Sequence, residues 1–144
     1  MNLWIINGPN LNLLGKREPE LYGRETYDDL LGFIYETARQ EGVKVECYQS
    51  NYEGAIVDLI QNALGQADGL IINPAAYTHT SIAILDALKA VGLPAVEVHL
   101  TDIAEREPFR QISYPAMACI AQVKGKGFEG YAEAIRLLKH AIPE

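Results

Sequence analysis

Short apolar runs alternate along this chain with longer segments in which apolar residues recur every three or four positions. The apolar or alternating runs at residues 3–6, 43–48, 70–72, 95–100 and 117–123 predict five β-strands. Helical spacing that begins near residues 27, 56, 82 and 131 predicts four helices among them. Gly42, Gly65 and the Gly-Leu-Pro break at residues 92–94 are placed to end the first three helices.

Strands that alternate with helices form a parallel sheet covered by helices on both faces. With right-handed crossovers, we predict an α/β, flavodoxin-like fold whose five strands have the order 2-1-3-4-5. Such sheets bind ligands at the carboxyl ends of their strands, beside the point where the strand order reverses. Polar residues follow the first, third and fourth strands at those ends, namely residues 7–10, Asn73 and His99. We expect them to converge on one crevice.

Composition narrows the class of protein. The length of 144 residues suits a single domain, which we expect to span residues 1–144. The net charge of −7 disfavours nucleic acid and anionic membranes, although a local basic pocket can still bind a small anion. The apolar runs are too short for a signal peptide or a transmembrane helix, so the expected location is cytoplasmic. Cys47 and Cys119 lie in separate strand-like runs and predict unpaired, buried thiols.

The segment at residues 10–23 is long for a connection in a compact α/β domain, and long loops are often lids. It carries Lys16, Arg17 and Tyr22. A tyrosine acts as a base at neutral pH only when its phenolate is stabilised, and a nearby arginine does so. The alternative is a solvated loop with a tyrosine on the surface.

The polar segment at residues 73–81 leads from the third strand into a helix. Asn73, His79 and the neighbouring hydroxyls have the chemistry to bind a polyol, and a helix N-terminus adds free N–H groups. Alternatively Thr78 or Thr80 caps the helix and His79 is a bystander. Both interpretations are compatible.

Two further segments carry candidate acid–base and anion-binding groups. His99 ends the fourth strand, and Glu97 lies on the same face two residues earlier. A hydrogen-bonded core histidine is the alternative. Arg106 and Arg110 are four residues apart, the spacing of a shared helix face, and suit a carboxylate or vicinal hydroxyls. Their alternative is a solvated basic turn.

Several common site motifs do not occur in the sequence. There is no GxGxxG or GxxxxGK[ST] phosphate loop, no HExxH metal motif and no GxSxG nucleophile elbow. The three histidines are far apart, and no lysine follows a strand in the inferred crevice. Neither a metal nor an imine-forming lysine is therefore expected.

With these residues in view, the chain strongly resembles the type II 3-dehydroquinate dehydratases. The resemblance spans most of the chain in order, and the matching stretches are INGPNLNLLGKREPELYG (6–23), QSNYEG (49–54), INPAAYTHTSIAILDAL (72–88), VEVHLTDI (96–103) and REPFRQISY (106–114). It implies a flavodoxin-like fold and cytoplasmic dehydration of 3-dehydroquinate to 3-dehydroshikimate in the shikimate pathway, without metal or cofactor.

The resemblance also assigns roles to catalytic residues. Tyr22 is implied as the base that removes a proton alpha to the ketone, and Arg17 as the cation that stabilises its phenolate. Asn10 is implied to hold a water that supports the enolate. His99 is implied as the acid that protonates the departing hydroxyl, with Glu97 behind it.

Substrate-binding residues and assembly follow from the same resemblance. Asn73, His79 and Arg110 match positions that hold ring hydroxyls. The backbone at Leu100 and Thr101, with the Thr101 hydroxyl, matches a carboxylate-binding turn. Asp86 matches a position that reaches the substrate of a neighbouring subunit, and a homododecamer built from trimers is implied.

The chain departs from the family pattern at a few places. Tyr52 stands where histidine is common, Thr101-Asp102 replaces Ser-Asn, Pro108 replaces glutamate, and residues 115–126 diverge. These departures concern packing and subunit contacts more than chemistry. Two alternatives remain open: the same reaction serving quinate breakdown, and a catalytically silent module that binds a small acid.

Overall fold

The computed structural model describes residues 1–16, residue 20 and residues 23–143. Its strands form one five-stranded sheet in the order β2-β1-β3-β4-β5, and every neighbouring pair is parallel. This confirms the predicted flavodoxin-like topology. The strands are Asn2–Asn7 (β1), Lys44–Gln49 (β2), Gly69–Asn73 (β3), Ala95–His99 (β4) and Ala121–Lys124 (β5).

The α-helices of the described residues follow the predicted periodicity. They are Tyr27–Glu41 (α1), Glu53–Asn62 (α2), Ile82–Val91 (α3) and Glu129–Ala141 (α4). Short 3₁₀ turns occupy Leu11–Leu13, Ala75–His79, Ile103–Glu105, Pro108–Arg110 and Pro115–Ala118. A reciprocal capping box between Thr26 and Asp29 begins α1, and Gly42 ends it in the left-handed conformation with φ of 72°.

Two apolar layers cover the two faces of the sheet. Alternate side chains of one strand point to opposite faces, so Leu3 and Ile5 join one core while Trp4 and Ile6 join the other. The helices α1 and α4 cover the first face, and α2 and α3 cover the second. The three central strands β1, β3 and β4 are almost entirely buried, and because all the strands are parallel, their carboxyl ends lie along one edge of the sheet.

The predicted cap of α3 was wrong. Ser81 caps this helix, because its hydroxyl accepts a hydrogen bond from the Ile84 amide at 2.9 Å. Neither Thr78 nor Thr80 caps the helix, because the 3₁₀ turn Ala75–His79, with Pro74 before it and Thr80 after it, separates the strand end from the cap. Thr78 is instead fully buried.

Proline accounts for two further differences from the sequence prediction. The fifth strand begins at Ala121 rather than at residue 117, because Pro115 opens a 3₁₀ turn that occupies the first part of the apolar run. Arg106 and Arg110 do not share a helix face. Pro108 requires an extended conformation at Glu107, which separates two short 3₁₀ turns.

The cysteines are unpaired, as predicted, and lie partly buried rather than fully buried. Burial raises the pKa of Cys47 to about 11 and that of Cys119 to about 12. Over the described ranges, no helix is both long enough and apolar enough to cross a membrane.

Candidate active site

A cavity of about 100 Å³ opens at the carboxyl ends of β1, β3 and β4. Its position is the one expected for this strand order, because β1 and β3 meet there with Asn7 and Asn73 in register. The cavity brings together most of the described residues that the sequence singled out. Its lining includes Asn10, Asn73, His79, His99, Leu100, Thr101 and Arg110.

The loop after β1 is held tightly against the loop after β3. The Gly8 amide donates to the Asn73 carbonyl at 2.7 Å, and a Cβ at Gly8 would lie 2.6 Å from the Pro74 carbonyl oxygen. Only glycine allows this approach. Asn10 then adopts a left-handed conformation with φ of 71°, and its amide donates to the Asn51 side chain at 3.0 Å. These contacts fix the wall of the cavity that Asn10 lines.

A buried hydrogen-bond network orients Asn73. The Tyr131 hydroxyl donates to Asn7 Oδ1 at 2.7 Å and accepts from Asn73 Nδ2 at 3.0 Å. On its other side, Asn73 Oδ1 accepts from the Ala75 amide at 3.2 Å. Burial raises the pKa of Tyr131 far above its usual range, so the hydroxyl remains a neutral donor and acceptor. With both ends of its amide held, Asn73 presents a fixed polar group to the cavity.

His99 and Glu97 form a buried pair at the end of β4. His99 Nε2 lies 2.5 Å from Glu97 Oε2, and the residues are 5% and 0% exposed. Burial opposes the charge of Glu97, but hydrogen bonds from His99, Ser113 and Gln122 outweigh it and hold the pKa of Glu97 below its usual value. An ionised carboxylate accepts the Nε2–H of the ring and leaves Nδ1 for another partner.

Thr78, in the 3₁₀ turn Ala75–His79, contacts both members of the His99–Glu97 pair. Its hydroxyl lies 3.4 Å from Glu97 Oε2 and 3.3 Å from His99 Nε2. Its carbonyl accepts from the Tyr114 amide at 2.9 Å, which joins this turn to the segment that follows Arg110. The residue proposed as a helix cap thus packs against the candidate acid.

His79 reaches the cavity from the 3₁₀ turn Ala75–His79. Its Nδ1 lies 2.7 Å from the Ile112 carbonyl, which can only accept, so Nδ1 carries the proton. Burial lowers the pKa of His79 and outweighs the opposing hydrogen bond to Ile112, which favours the neutral ring. A neutral ring protonated at Nδ1 offers Nε2 as an acceptor for a hydroxyl.

Arg110 lines the cavity from the turn Pro108–Arg110. Its guanidinium pairs with Glu107 through Nε and lies 5.1 Å from the centre of the Phe109 ring. The hydrogen bond from Arg110 lowers the pKa of Glu107. These contacts restrain the guanidinium beside the cavity, where it can bind hydroxyls or a carboxylate.

The turn after β4 carries Leu100 and Thr101 along the cavity. The Leu100 carbonyl accepts from the Gly127 amide at 3.0 Å, and Asp102 begins the next 3₁₀ turn by accepting from the Ala104 amide at 2.9 Å. The turn is therefore held on both sides of Thr101. Apolar residues complete the wall, including Leu11, Leu13, Leu14 and Ile103.

Some predicted residues lie elsewhere. Asp86 is exposed on α3 and does not line the cavity of its own chain. Arg17 and Tyr22 fall outside the described residues, so their roles stay predictions. Tyr52 is 76% exposed. Within the described ranges, no group of three or more His, Cys, Asp or Glu side chains is arranged to hold a metal ion.

Other residues belong to the site although sequence reasoning did not select them. Asn7 and Tyr131 orient Asn73, whereas Ser113 and Gln122 donate to Glu97. Only Asn7 gave a signal, since it ends a predicted strand. The partners of a buried carboxylate depend on the alignment of β4 with β5 and on the path of the segment before β5, which periodicity does not reveal. Arg106, which the sequence offered together with Arg110 as a candidate for binding a carboxylate or hydroxyls, also lines the cavity.

The fold and the cavity define an α/β protein of flavodoxin-like topology, in which His99 lines a polar pocket and pairs with the buried Glu97 behind it. The sequence profile of the Dehydroquinase class II family matches residues 1–139. The chain therefore belongs to that family, as the sequence resemblance predicted.

Named relatives cover almost the entire chain. A 3-dehydroquinate dehydratase from Clostridium acetobutylicum is 49% identical over 142 residues, 99% of each chain. One from Bartonella henselae is 54% identical over 138 residues, 96% of this chain and 93% of the relative. The crystal structure of a type II dehydroquinase from Butyrivibrio crossotus matches with a TM-score of 0.95 at 49% identity, covering 96% of this chain and 97% of that one.

Proposed function

We propose that this chain is a lyase that dehydrates 3-dehydroquinate to 3-dehydroshikimate in the shikimate pathway. The observation that carries the proposal is the buried His99–Glu97 pair at the cavity, in a chain of the Dehydroquinase class II family. The cavity also suits the substrate, a small ring with hydroxyls, a ketone and a carboxylate. The cavity is lined by His79, whose neutral ring is favoured, and by Asn73 and Arg110.

The first step of the proposed reaction is removal of a proton alpha to the ketone. Tyr22 is the proposed base, and Arg17 stabilises its phenolate as a nearby cation does. Asn10, which lines the cavity, is proposed to hold a water that donates to the enolate oxygen. Residues 10–23 serve as a lid in this proposal, because exclusion of water strengthens the charge effects on Tyr22.

The second step is loss of the ring hydroxyl. Hydroxide is a poor leaving group, so an acid must protonate it as the carbon–oxygen bond breaks. His99 is the proposed acid: the proton passes from Nδ1 to the hydroxyl, water departs, and the enolate becomes the conjugated enone. The ring is doubly protonated before this step and neutral after it, and it keeps its Nε2–H, which donates to Glu97 throughout.

Binding of the substrate is assigned to the rest of the cavity. Asn73, His79 and Arg110 hold ring hydroxyls, and the turn at Leu100 and Thr101 receives the carboxylate. Asp86 is proposed to act at the cavity of a neighbouring subunit, and its exposure on α3 is consistent with that role. A cytoplasmic homododecamer of trimers is proposed as the working assembly.

A continuous assay tests this function. Purified protein is incubated with 3-dehydroquinate and a chelator, and the ultraviolet absorbance of the enone product is followed. We expect a steady rise that also survives prior borohydride treatment in the presence of substrate, because neither a metal nor an imine takes part. No rise from folded, assembled protein would contradict the proposal and favour a binding module without activity.

A further inference from the structure

Gln122 on β5 contacts the carboxylate behind the proposed acid, and its position is fixed by the sheet. In the parallel pairing of β4 with β5, Gln122 is in register with Glu97. Residues in register on adjacent strands project from the same face. The Gln122 Nε2 atom consequently lies 3.0 Å from Glu97 Oε2.

We infer that Gln122 is a positioning residue that holds the Glu97 carboxylate ionised and aimed at His99 Nε2, so that the Nε2–H stays on the ring while Nδ1 gives up its proton. The role rests on the proposed dehydration, in which His99 is the acid. Gln122 acts through Glu97, and it does not line the cavity.

The two oxygens of Glu97 accept hydrogen bonds from different residues, and this arrangement supports the role of Gln122. Oε1 accepts from the Ser113 hydroxyl at 2.6 Å. Oε2 accepts from Gln122 at 3.0 Å and from the more distant Thr78 hydroxyl at 3.4 Å, and it lies 2.5 Å from His99 Nε2. Gln122 therefore shares one oxygen with the histidine, whereas Ser113 holds the other. The two donors together prevent rotation of a carboxylate that is 0% exposed.

Because Gln122 and His99 contact the same oxygen of Glu97, Gln122 affects the proton that lies between His99 Nε2 and Glu97 Oε2. A neutral amide donor stabilises the charged carboxylate and makes Oε2 less basic. Without it, Glu97 draws the Nε2 proton more strongly, and the pair releases a proton at higher pH. The histidine then becomes a weaker acid toward the departing hydroxyl. Gln122 thereby favours transfer from Nδ1, during which the Nε2–H remains on the ring.

Other titratable and charged groups also face this pair, and a test must leave them unchanged. His79 and Arg110 lie on neighbouring turns, and Cys119 lies before β5 close enough to Glu97 to feel its charge. Lys124 is in register with His99, but its ammonium is paired with Asp102 at 3.8 Å. Substitution at Gln122 removes one neutral donor and alters none of these charges.

The test replaces Gln122 by methionine, which keeps the unbranched stem and removes the amide. Nitrogen-15 NMR of the histidine side chains is recorded against pH without substrate, and kcat and KM are measured over the same range. For Gln122→Met we expect the His99–Glu97 pair to titrate roughly half to one pH unit higher than in the unaltered protein. We also expect kcat to be about tenfold lower with KM within about twofold.

Matched variants separate positioning from packing. Gln122→Asn, whose amide is one methylene shorter, should shift the titration in the same direction. Gln61→Met makes the same chemical change at an exposed position on α2 and should behave like the unaltered protein. An unchanged titration in both Gln122 variants, with or without loss of activity, would overturn the inference. Because the titration needs no substrate, failure of the dehydration assay would contradict the proposed function and leave this readout intact.

Discussion

His99 Nε2 and Glu97 Oε2 lie 2.5 Å apart, in a pair from which solvent is almost entirely excluded. A buried carboxylate is costly unless hydrogen bonds compensate for lost solvation. Here Ser113 and Gln122 provide them from two different parts of the chain. The ring is thus held by one nitrogen, and its other nitrogen is left for a substrate in the cavity.

Replacing His99 by alanine tests its role as the acid. General acid catalysis typically contributes 10²–10⁴-fold, so His99→Ala should lower kcat by about that factor. KM should change far less, because Asn73, His79 and Arg110 still line the cavity. Steady-state kinetics measures both, with His140→Ala, exposed on α4, as the control. A raised KM with normal kcat would argue for a binding role instead.

The lowered pKa of Glu97 predicts how the stability of the fold depends on pH. Its pKa in the folded protein is depressed below 4.5, so the ionised group stabilises the fold above that pH. This stability is lost as the pH falls through the lower, folded pKa. Glu97→Gln should reduce the free energy of unfolding near neutrality by about 1–3 kcal/mol and flatten its decline in acid.

Chemical denaturation at a series of pH values between about 3 and 7 measures this dependence. Asp58→Asn, exposed on α2, is the matched control and should decline with acid as the unaltered protein does. Equal slopes for Glu97→Gln and the unaltered protein would mean that Glu97 does not titrate differently on folding.

Replacing Tyr22 by phenylalanine tests the proposed base. The change removes only the hydroxyl, so we expect turnover to fall by about 10²–10⁴-fold while the fold is retained. Circular dichroism checks the fold, and the enone assay checks turnover. Tyr52→Phe makes the same change at a site that is 76% exposed and should remain active. Near-normal turnover of Tyr22→Phe would exclude this residue as the base.

Replacing Tyr131 by phenylalanine tests the network that orients Asn73. The change leaves Asn7 Oδ1 and Asn73 Nδ2 each without the hydroxyl that they share. Loss of a buried partner costs about 1–3 kcal/mol, which denaturation should detect. KM for the substrate should rise more than kcat falls, because Asn73 binds rather than reacts. Unchanged stability and KM would show that the Tyr131 hydroxyl is not needed to orient Asn73.

The sequence predicted the sheet well because its signals are local. Runs such as residues 70–72 are apolar enough to identify strands, and Gly42 ends the helix that begins at Tyr27. Strand order then followed from chirality, and the ends of β1, β3 and β4 located the cavity. Asn73 and His99 lie there as the prediction required.

The failures arose where proline or tertiary contact decided the local structure. Pro115 shortened the fifth strand, and Pro108 separated Arg106 from Arg110. Thr78 has the chemistry of a cap, but its hydroxyl faces the His99–Glu97 pair. Gln122 looked like an ordinary strand residue, because only the register of β4 with β5 places it beside a carboxylate.

The contact of Gly8 with the loop after β3 predicts a strong effect of a single methyl group. In Gly8→Ala the new Cβ would lie 2.6 Å from the Pro74 carbonyl oxygen, which is backbone and cannot rotate away. The loops after β1 and β3 must separate to make room for it. Overpacking of this kind typically lowers the free energy of unfolding by about 1–3 kcal/mol. The same separation moves Pro9 and Asn10, which line the cavity, so kcat/KM should fall as well.

The matched control for this change is Gly32→Ala in the middle of α1. There a Cβ meets nothing within 4 Å, and alanine has the higher helix propensity, so this variant should gain up to about 1 kcal/mol. Thermal and chemical denaturation, with enone assays on both variants, complete the comparison. Opposite signs of the two stability changes would show that close approach, rather than loss of glycine as such, positions the loop. A Gly8→Ala variant as stable and active as the unaltered protein would mean that this loop is not held as tightly as the contact implies.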